Sequence, residues 1–132
     1  MVDAKKLYEF DNGWGLWSDY QPMVDAFGKV VIQVDDDDYQ GDTRVLYHND
    51  DGRIGHLIFG WGSCSYCDAL MRCSSIEEVQ DLCDELEADI EWFDNKAEAL
   101  EWFKTRDWEG NYYWYDGNTR EYVEKAIEYL SK

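Results

Sequence analysis

Proline occurs once in this chain, at position 22, histidine twice, and lysine and arginine together only twelve times in 132 residues. Each shortage excludes something. A single proline and the lack of any Gly/Ser-rich tract leave no linker or low-complexity segment at which to divide the chain, so residues 1–132 are expected to form a single domain. No apolar run approaches the roughly 20 residues that cross a bilayer. The N-terminal stretch MVDAKKLYEFDNGWG has no apolar core of a secretory signal, so a cytoplasmic, reducing setting is expected, where a disulfide framework is out of place. The scarcity of cations against thirty Asp and Glu gives a formal net charge of −18, which repels nucleic acid and anionic membranes alike.

What is abundant is core-forming material: the chain is 45% hydrophobic and 17% aromatic, with seven Trp and ten Tyr, which rules out disorder. A short helix is expected around residues 3–10, broken by DNGWG, and a second short turn or helix around SDYQPMVDAFG before Gly28. KVVIQVD (29–35) is rich in β-branched residues, TRVLYH (43–48) alternates apolar and polar, and NDDG (49–52) is a hairpin turn leading into RIGHLIFGWG (53–62). Ser75 and Glu78 fit a capping box, opening a helix whose inner face is Ile76, Val79, Leu82, Cys83, Leu86 and Ile90. IEWF (90–93) reads as a short strand. A helix over 96–105 follows with Ala97, Leu100 and Phe103 inward, and NYYWYDG (111–117) reads as an aromatic strand or loop. Thr119 is positioned to cap a last helix bearing Tyr122, Val123, Ala126, Ile127 and Leu130. The fold class is α+β: a small antiparallel sheet of three or more strands packed with helices.

Four thiols fall within twenty residues: Cys64 and Cys67 at Cys-x-x-Cys spacing, then Cys73, then Cys83. Zinc takes four tetrahedral thiolate or imidazole ligands, and structural sites commonly start with that spacing, here beside Gly60 and Gly62. The expectation is a structural Zn2+ knuckle after the third strand. No second Cys-x-x-Cys follows, so the fourth ligand stays open between Cys83, which also fits a plain core cysteine, and His56 on the preceding strand; His48 is a weaker candidate. Reduced structural cysteines are the main competing reading. A thioredoxin-like redox pair would open a helix in a βαβ unit, whereas antiparallel strands precede this one and Asp68 follows it, raising a thiol pKa.

The carboxylates are concentrated too. Between residues 77 and 91 stand Glu77, Glu78, Asp81, Asp84, Glu85, Glu87, Asp89 and Glu91, with no Lys or Arg from 73 to 95. Like charges at i,i+4 cost a helix a few tenths of a kcal/mol each, and only the first turn is helped by the helix dipole. With a rise of about 1.5 Å per residue the run carries roughly one charge per 3 Å, near the 3.4 Å of one DNA strand. Glu77, Glu78, Asp81, Asp84 and Glu85 are therefore candidate contacts to a basic partner, against the plainer reading of a solvated face. Asp35, Asp36, Asp37 and Asp38 join them as candidates, although by themselves they read as a solvated loop. A calcium loop starting at Asp36 fails because its twelfth position is Tyr47, not Glu.

Nothing points to catalysis. There is no nucleophile elbow, phosphate loop or His-Glu-x-x-His, and a small-molecule substrate is not expected. The segments YQGDT (39–43), FGWGSCSYCDAL (59–70) and DWEG (107–110) resemble a family of small acidic proteins carried by phages and prophages of Gram-positive bacteria. Zinc-containing acidic phage proteins of this kind include anti-CRISPR proteins that act on the RNA-guided DNA nuclease. The resemblance spans about residues 28 to 130, and Cys64, Cys67 and Cys73 match its core. It implies a cytoplasmic inhibitor in the infected or lysogenic host, docked on the basic channel of that nuclease and blocking DNA loading, without itself binding nucleic acid. The alternative is an acidic interaction protein or DNA mimic with another host target, such as a restriction or transcription component; a zinc or thiol enzyme ranks behind both.

Overall fold

The computed structural model describes residues 2–8, 19–37, 40–62, 68–111 and 115–132. The β-rich middle forms β1 (Val30–Asp35), β2 (Gly41–His48) and β3 (Ile54–Trp61), and the short β4 (Glu91–Phe93) completes a four-stranded antiparallel sheet in the order β1-β2-β3-β4. The β2–β3 turn lies where NDDG places it. The Gly52 amide donates to Asn49 O at 2.9 Å, and Gly52 has φ +92°, a left-handed conformation that glycine adopts without steric cost. Around the sheet stand α1 (Ala4–Tyr8), α2 (Gln21–Phe27), α3 (Ile76–Ala88), α4 (Lys96–Thr105), the helical turn α5 (Trp108–Asn111) and α6 (Arg120–Leu130), which a π-helical turn at Tyr115–Thr119 precedes. The α+β expectation is thus borne out for the sheet and helices. Among the described residues no helix is long and apolar enough to cross a membrane.

Because side chains alternate along a strand, the pairing register sorts the sheet into two faces. Val45 lies opposite Leu57, and Thr43 opposite Phe59; on the reverse face Leu46 lies opposite His56, and Arg44 opposite Ile58. The first face packs with Tyr8 of α1, Met23, Val24 and Phe27 of α2, and Val79, Cys83 and Leu86 of α3. The second packs with Ala99 and Phe103 of α4, with Trp108, and with Tyr122, Val123, Ala126 and Leu130 of α6. Helices therefore cover both faces, and each buried large apolar side chain contributes about 1.5–3 kcal/mol.

Several local expectations change. In α4 the inward pair is Ala99 and Phe103, whereas Ala97 is exposed and Leu100 half-buried, because the helix is rotated to lay Trp102 and Phe103 against His56. Where it is described, the 111–117 segment is helical at its flanks and not a strand; positions 112–114 lie outside the described residues. Thr119 makes no capping hydrogen bond, since the π turn already delivers helical backbone to α6. Its Oγ1 instead accepts from Arg44 Nε at 2.9 Å. At α3, Ser75 Oγ accepts from the Glu78 amide, but the Glu78 carboxylate reaches one residue further back, to the Ser74 amide at 2.9 Å and the Ser74 hydroxyl at 3.0 Å.

Candidate functional site

The sheet separates two of the candidate zinc ligands from a third. Cys73 and Cys83 are free, buried thiols in the α1–α2–α3 core. His56 projects from the opposite face into the α4–α6 core, among Trp102, Phe103, Trp108 and Tyr122 at ring-centroid distances of 5.1–5.9 Å. The Tyr122 hydroxyl donates to Val45 O at 2.8 Å, so it accepts from His56, whose Nδ1 lies 2.7 Å away. That arrangement puts the proton on Nδ1, and burial, aided by the Arg106 cation, pushes the ring pKa down to about 3. His56 is thus placed as a neutral core residue, apart from Cys73 and Cys83. His48 lies at the far end of β2, hydrogen-bonded to Tyr129 of α6 at 2.5 Å. Cys64 and Cys67 lie outside the described residues, and among the described ones no three His, Cys, Asp or Glu converge on a point that would hold a metal.

Burial, with help from Glu78, Asp68 and Asp81 and against Arg72, pushes the Cys73 thiol up. Burial followed by Glu87 and Asp84 pushes Cys83 up to about 11. Both are therefore protonated thiols at neutral pH, the opposite of the activated thiolate a redox cysteine needs. A zinc ion taken up here would have to displace those protons.

The acidic helix divides into three faces. Val79, Cys83 and Leu86 are buried. Gln80, Asp84 and Glu87 lie along a flank occupied by the N-terminal segment: Gln80 accepts from the Ala4 amide and donates to Val2 O, both at 2.8 Å, and also donates to Asp84 at 2.8 Å. Asp84 is consequently half-buried and engaged within the chain. Glu77, Asp81 and Glu85 form an exposed stripe at four-residue spacing, with Glu78 beside it. Among the described residues none of these four carboxylates pairs with a Lys or Arg. Hydrogen bonds from the Ser74 amide and hydroxyl hold Glu78 below the usual carboxylate range.

The acidic loop after β1 is only partly a surface. Asp36 accepts from Arg44 Nη1 at 2.8 Å, from Asn118 at 2.9 Å and from the Asp42 amide at 2.8 Å. Partial burial pushes its carboxyl up, but the hydrogen bonds from Asn118 and Arg44 outweigh that and hold it below the usual range. Asp36 is therefore a half-buried partner in an internal ion pair. Asp35 is exposed and accepts from Thr43 Oγ1 at 2.6 Å, Asp37 is exposed, and Asp38 lies outside the described residues.

Two buried charged positions escaped the sequence reading. Arg44 is a fully buried cation in a strand where alternation alone would put a polar residue at the surface. Asp68 was legible only as a neighbour of Cys67, yet it is 1% exposed and accepts from the Tyr20 hydroxyl, the Gly62 amide and the Met71 amide at 2.9–3.1 Å. It ties the exit of β3 to the turn before α3. No protein-family model, curated protein or solved structure matches this chain.

Proposed function

We propose that this is an acidic binding protein that lays the α3 stripe on a basic, nucleic-acid-binding surface of another protein and excludes nucleic acid from it by charge and bulk. One observation carries the reading: Glu77, Glu78, Asp81 and Glu85 are exposed on one helix and unmatched by any cation of the chain among the described residues. A helix selected for stability alone would interleave Lys, because i,i+4 pairs of opposite sign stabilise and like pairs do not. Within the stripe successive carboxylates lie about 6 Å apart along the axis, a wider interval than the 3.4 Å rise of a DNA strand. That spacing favours complementing a basic protein patch over imitating a duplex phosphate by phosphate. The GWGSCSYCDAL resemblance makes the RNA-guided DNA nuclease the first partner to test.

A structural zinc belongs to the same proposal. Cys73 and Cys83 share one core cluster with α3, and Cys64 and Cys67 follow the end of β3 at Trp61 in the sequence. Thiolates from these four positions would fasten α3 to the sheet and hold the stripe rigid; zinc supplies no chemistry beyond that anchoring.

The test is cleavage by guide-loaded nuclease in the presence of excess protein over a range of salt. Inhibition that weakens with salt and is lost in a Glu77→Lys/Asp81→Lys/Glu85→Lys variant is the expected result. Cleavage at the normal rate, with no retained complex, removes the nuclease as the partner; inhibition untouched by the triple change removes the stripe as the contact.

A further inference from the structure

A cavity of about 200 Å³ opens on the α1–α2–α3 side of the sheet, between the start of α2 and the ends of β1 and β3. Small-molecule sites run to about 300–1,000 Å³, so this one is scaled to a single side chain. Its walls are aromatic: Tyr20 and Phe59 sit with ring centroids 5.0 Å apart, and Trp61 is held by its indole N–H, which donates to Thr43 Oγ1 at 2.9 Å. Among the described residues three carboxylates line it, Asp19, Asp35 and the buried Asp68. Every Lys and Arg of the chain is among the described residues, and none of them lines the cavity. The polar walls are already ordered. Thr43 donates to Asp35, Gln21 and Gln33 exchange amide hydrogen bonds at 2.8–3.0 Å, and Tyr20 donates to Asp68.

Aromatic faces beside carboxylates attract a cation twice over, through the ring quadrupole and through charge. A bare metal ion is the wrong shape, because the three carboxylates border the cavity without meeting at one point. A delocalised, planar cation with five N–H donors fits acceptors spread in this way, and its face stacks on aromatic rings. We propose that the cavity receives an arginine side chain of the basic partner, its guanidinium between the Tyr20–Phe59 pair and Trp61 and bonded to Asp19 and Asp35, with Asp68 supplying negative potential from the floor. The inference rests on the reading above that the partner is basic, and it names that partner's anchor.

The experiment uses the full chain, 15N-labelled, titrated with N-acetyl-arginine amide and separately with N-acetyl-citrulline amide, which has nearly the same shape and no charge. The arginine probe is expected to shift the Trp61 indole N–H and the Gln21 and Gly62 amides saturably, and the citrulline probe to leave them in place. Asp19→Asn with Asp35→Asn, which keeps an oxygen acceptor for Thr43, is expected to weaken binding at least about fivefold per charge removed. No shift at Trp61, an equal response to citrulline, or an unchanged affinity in the double variant overturns the proposal; unchanged resonances of α3 in that variant show that it is folded. The α3 triple-lysine variant separates the two readings. It should keep the arginine response even if the stripe proves irrelevant to docking, and a partner that needs the stripe but ignores the Asp19/Asp35 change leaves docking standing while the cavity reading falls.

Discussion

Arg44, 1% exposed, donates to Asp36 Oδ1 at 2.8 Å, and its Nε donates to Thr119 Oγ1 at 2.9 Å, so one buried cation joins the acidic loop after β1 to the start of α6. Asn118 donates to the same Asp36 oxygen, closing the link from the other side. Gly41 makes room for it, since a Cβ there would meet the Asp36 side chain at 2.5 Å.

Removing one partner of a buried ion pair strands the other, at a cost of about 3–5 kcal/mol. Asp36→Ala is therefore expected to lower unfolding free energy by about 3 kcal/mol in urea titration, at the lower end because Asp36 is partly exposed. Asp37→Ala, one residue on, should stay within about 0.5 kcal/mol of the parent. Equal effects from the two would show that the loop is as solvated as its composition suggests.

His56 makes the fold sensitive to acid. Its pKa is about 3 in the folded chain and near 6.5 when unfolded, so between those values the unfolded state binds the extra proton. The stability held by the neutral ring is complete above about pH 6.5 and is lost as pH falls toward 3, at up to roughly 1.4 kcal/mol per pH unit. Most carboxylates titrate lower, so the interval from about pH 6.5 to 5 isolates the effect. Unfolding free energy should fall across it in the parent and stay nearly flat in His56→Phe, in which Tyr122 still donates to Val45. An equal slope in both chains would mean that His56 is protonated in the fold.

The α3 stripe predicts opposite effects on stability and binding. Asp81→Lys replaces a like-charge pair with Glu77 and another with Glu85 by attractive ones, and should raise stability by a few tenths of a kcal/mol, read as a small rise in Tm. The same change should weaken the partner complex and flatten its salt dependence. Greater stability with undiminished binding would identify the helix as a solvated face only.

Metal content tests the thiols. Protein purified without chelator should carry one zinc per chain by native mass spectrometry, lost on acidification, and Cys64→Ser or Cys67→Ser should lose zinc and stability together. Cys83→Ala decides the fourth ligand: loss of the zinc makes Cys83 a ligand, whereas a retained zinc with a loss of about 1 kcal/mol marks a small core truncation. Four free thiols and no metal would leave Cys73 and Cys83 as buried thiols alone.

Much of the secondary structure was legible because its signals are local. β-branched runs, the NDDG turn and the Ser75 cap each act within a few residues, and β1–β3 and α3 fall where those signals put them. The rotation of α4 was not legible, because Ala97 and Ala99 offer nearly the same apolar surface and the choice between them was made by the bulk of Trp102 and Phe103 against a strand forty residues away. Nor was the role of Asp36. Four consecutive aspartates look alike until one of them meets Arg44 and Asn118.

By itself the sequence determined the strand and helix periods, the net charge of −18 and the cation-free run on α3, since these depend only on residue type and spacing. Tertiary structure alone decided which helices cover which face of the sheet. That choice set Cys73 and Cys83 on one side and His56 on the other, internalised Arg44, and opened an acidic, aromatic-walled cavity from residues as distant in the chain as Tyr20 and Asp68. The physical reason is that burial and long-range hydrogen bonding are properties of three-dimensional neighbours, and the alternation of a strand says that two faces exist without saying what will pack on either.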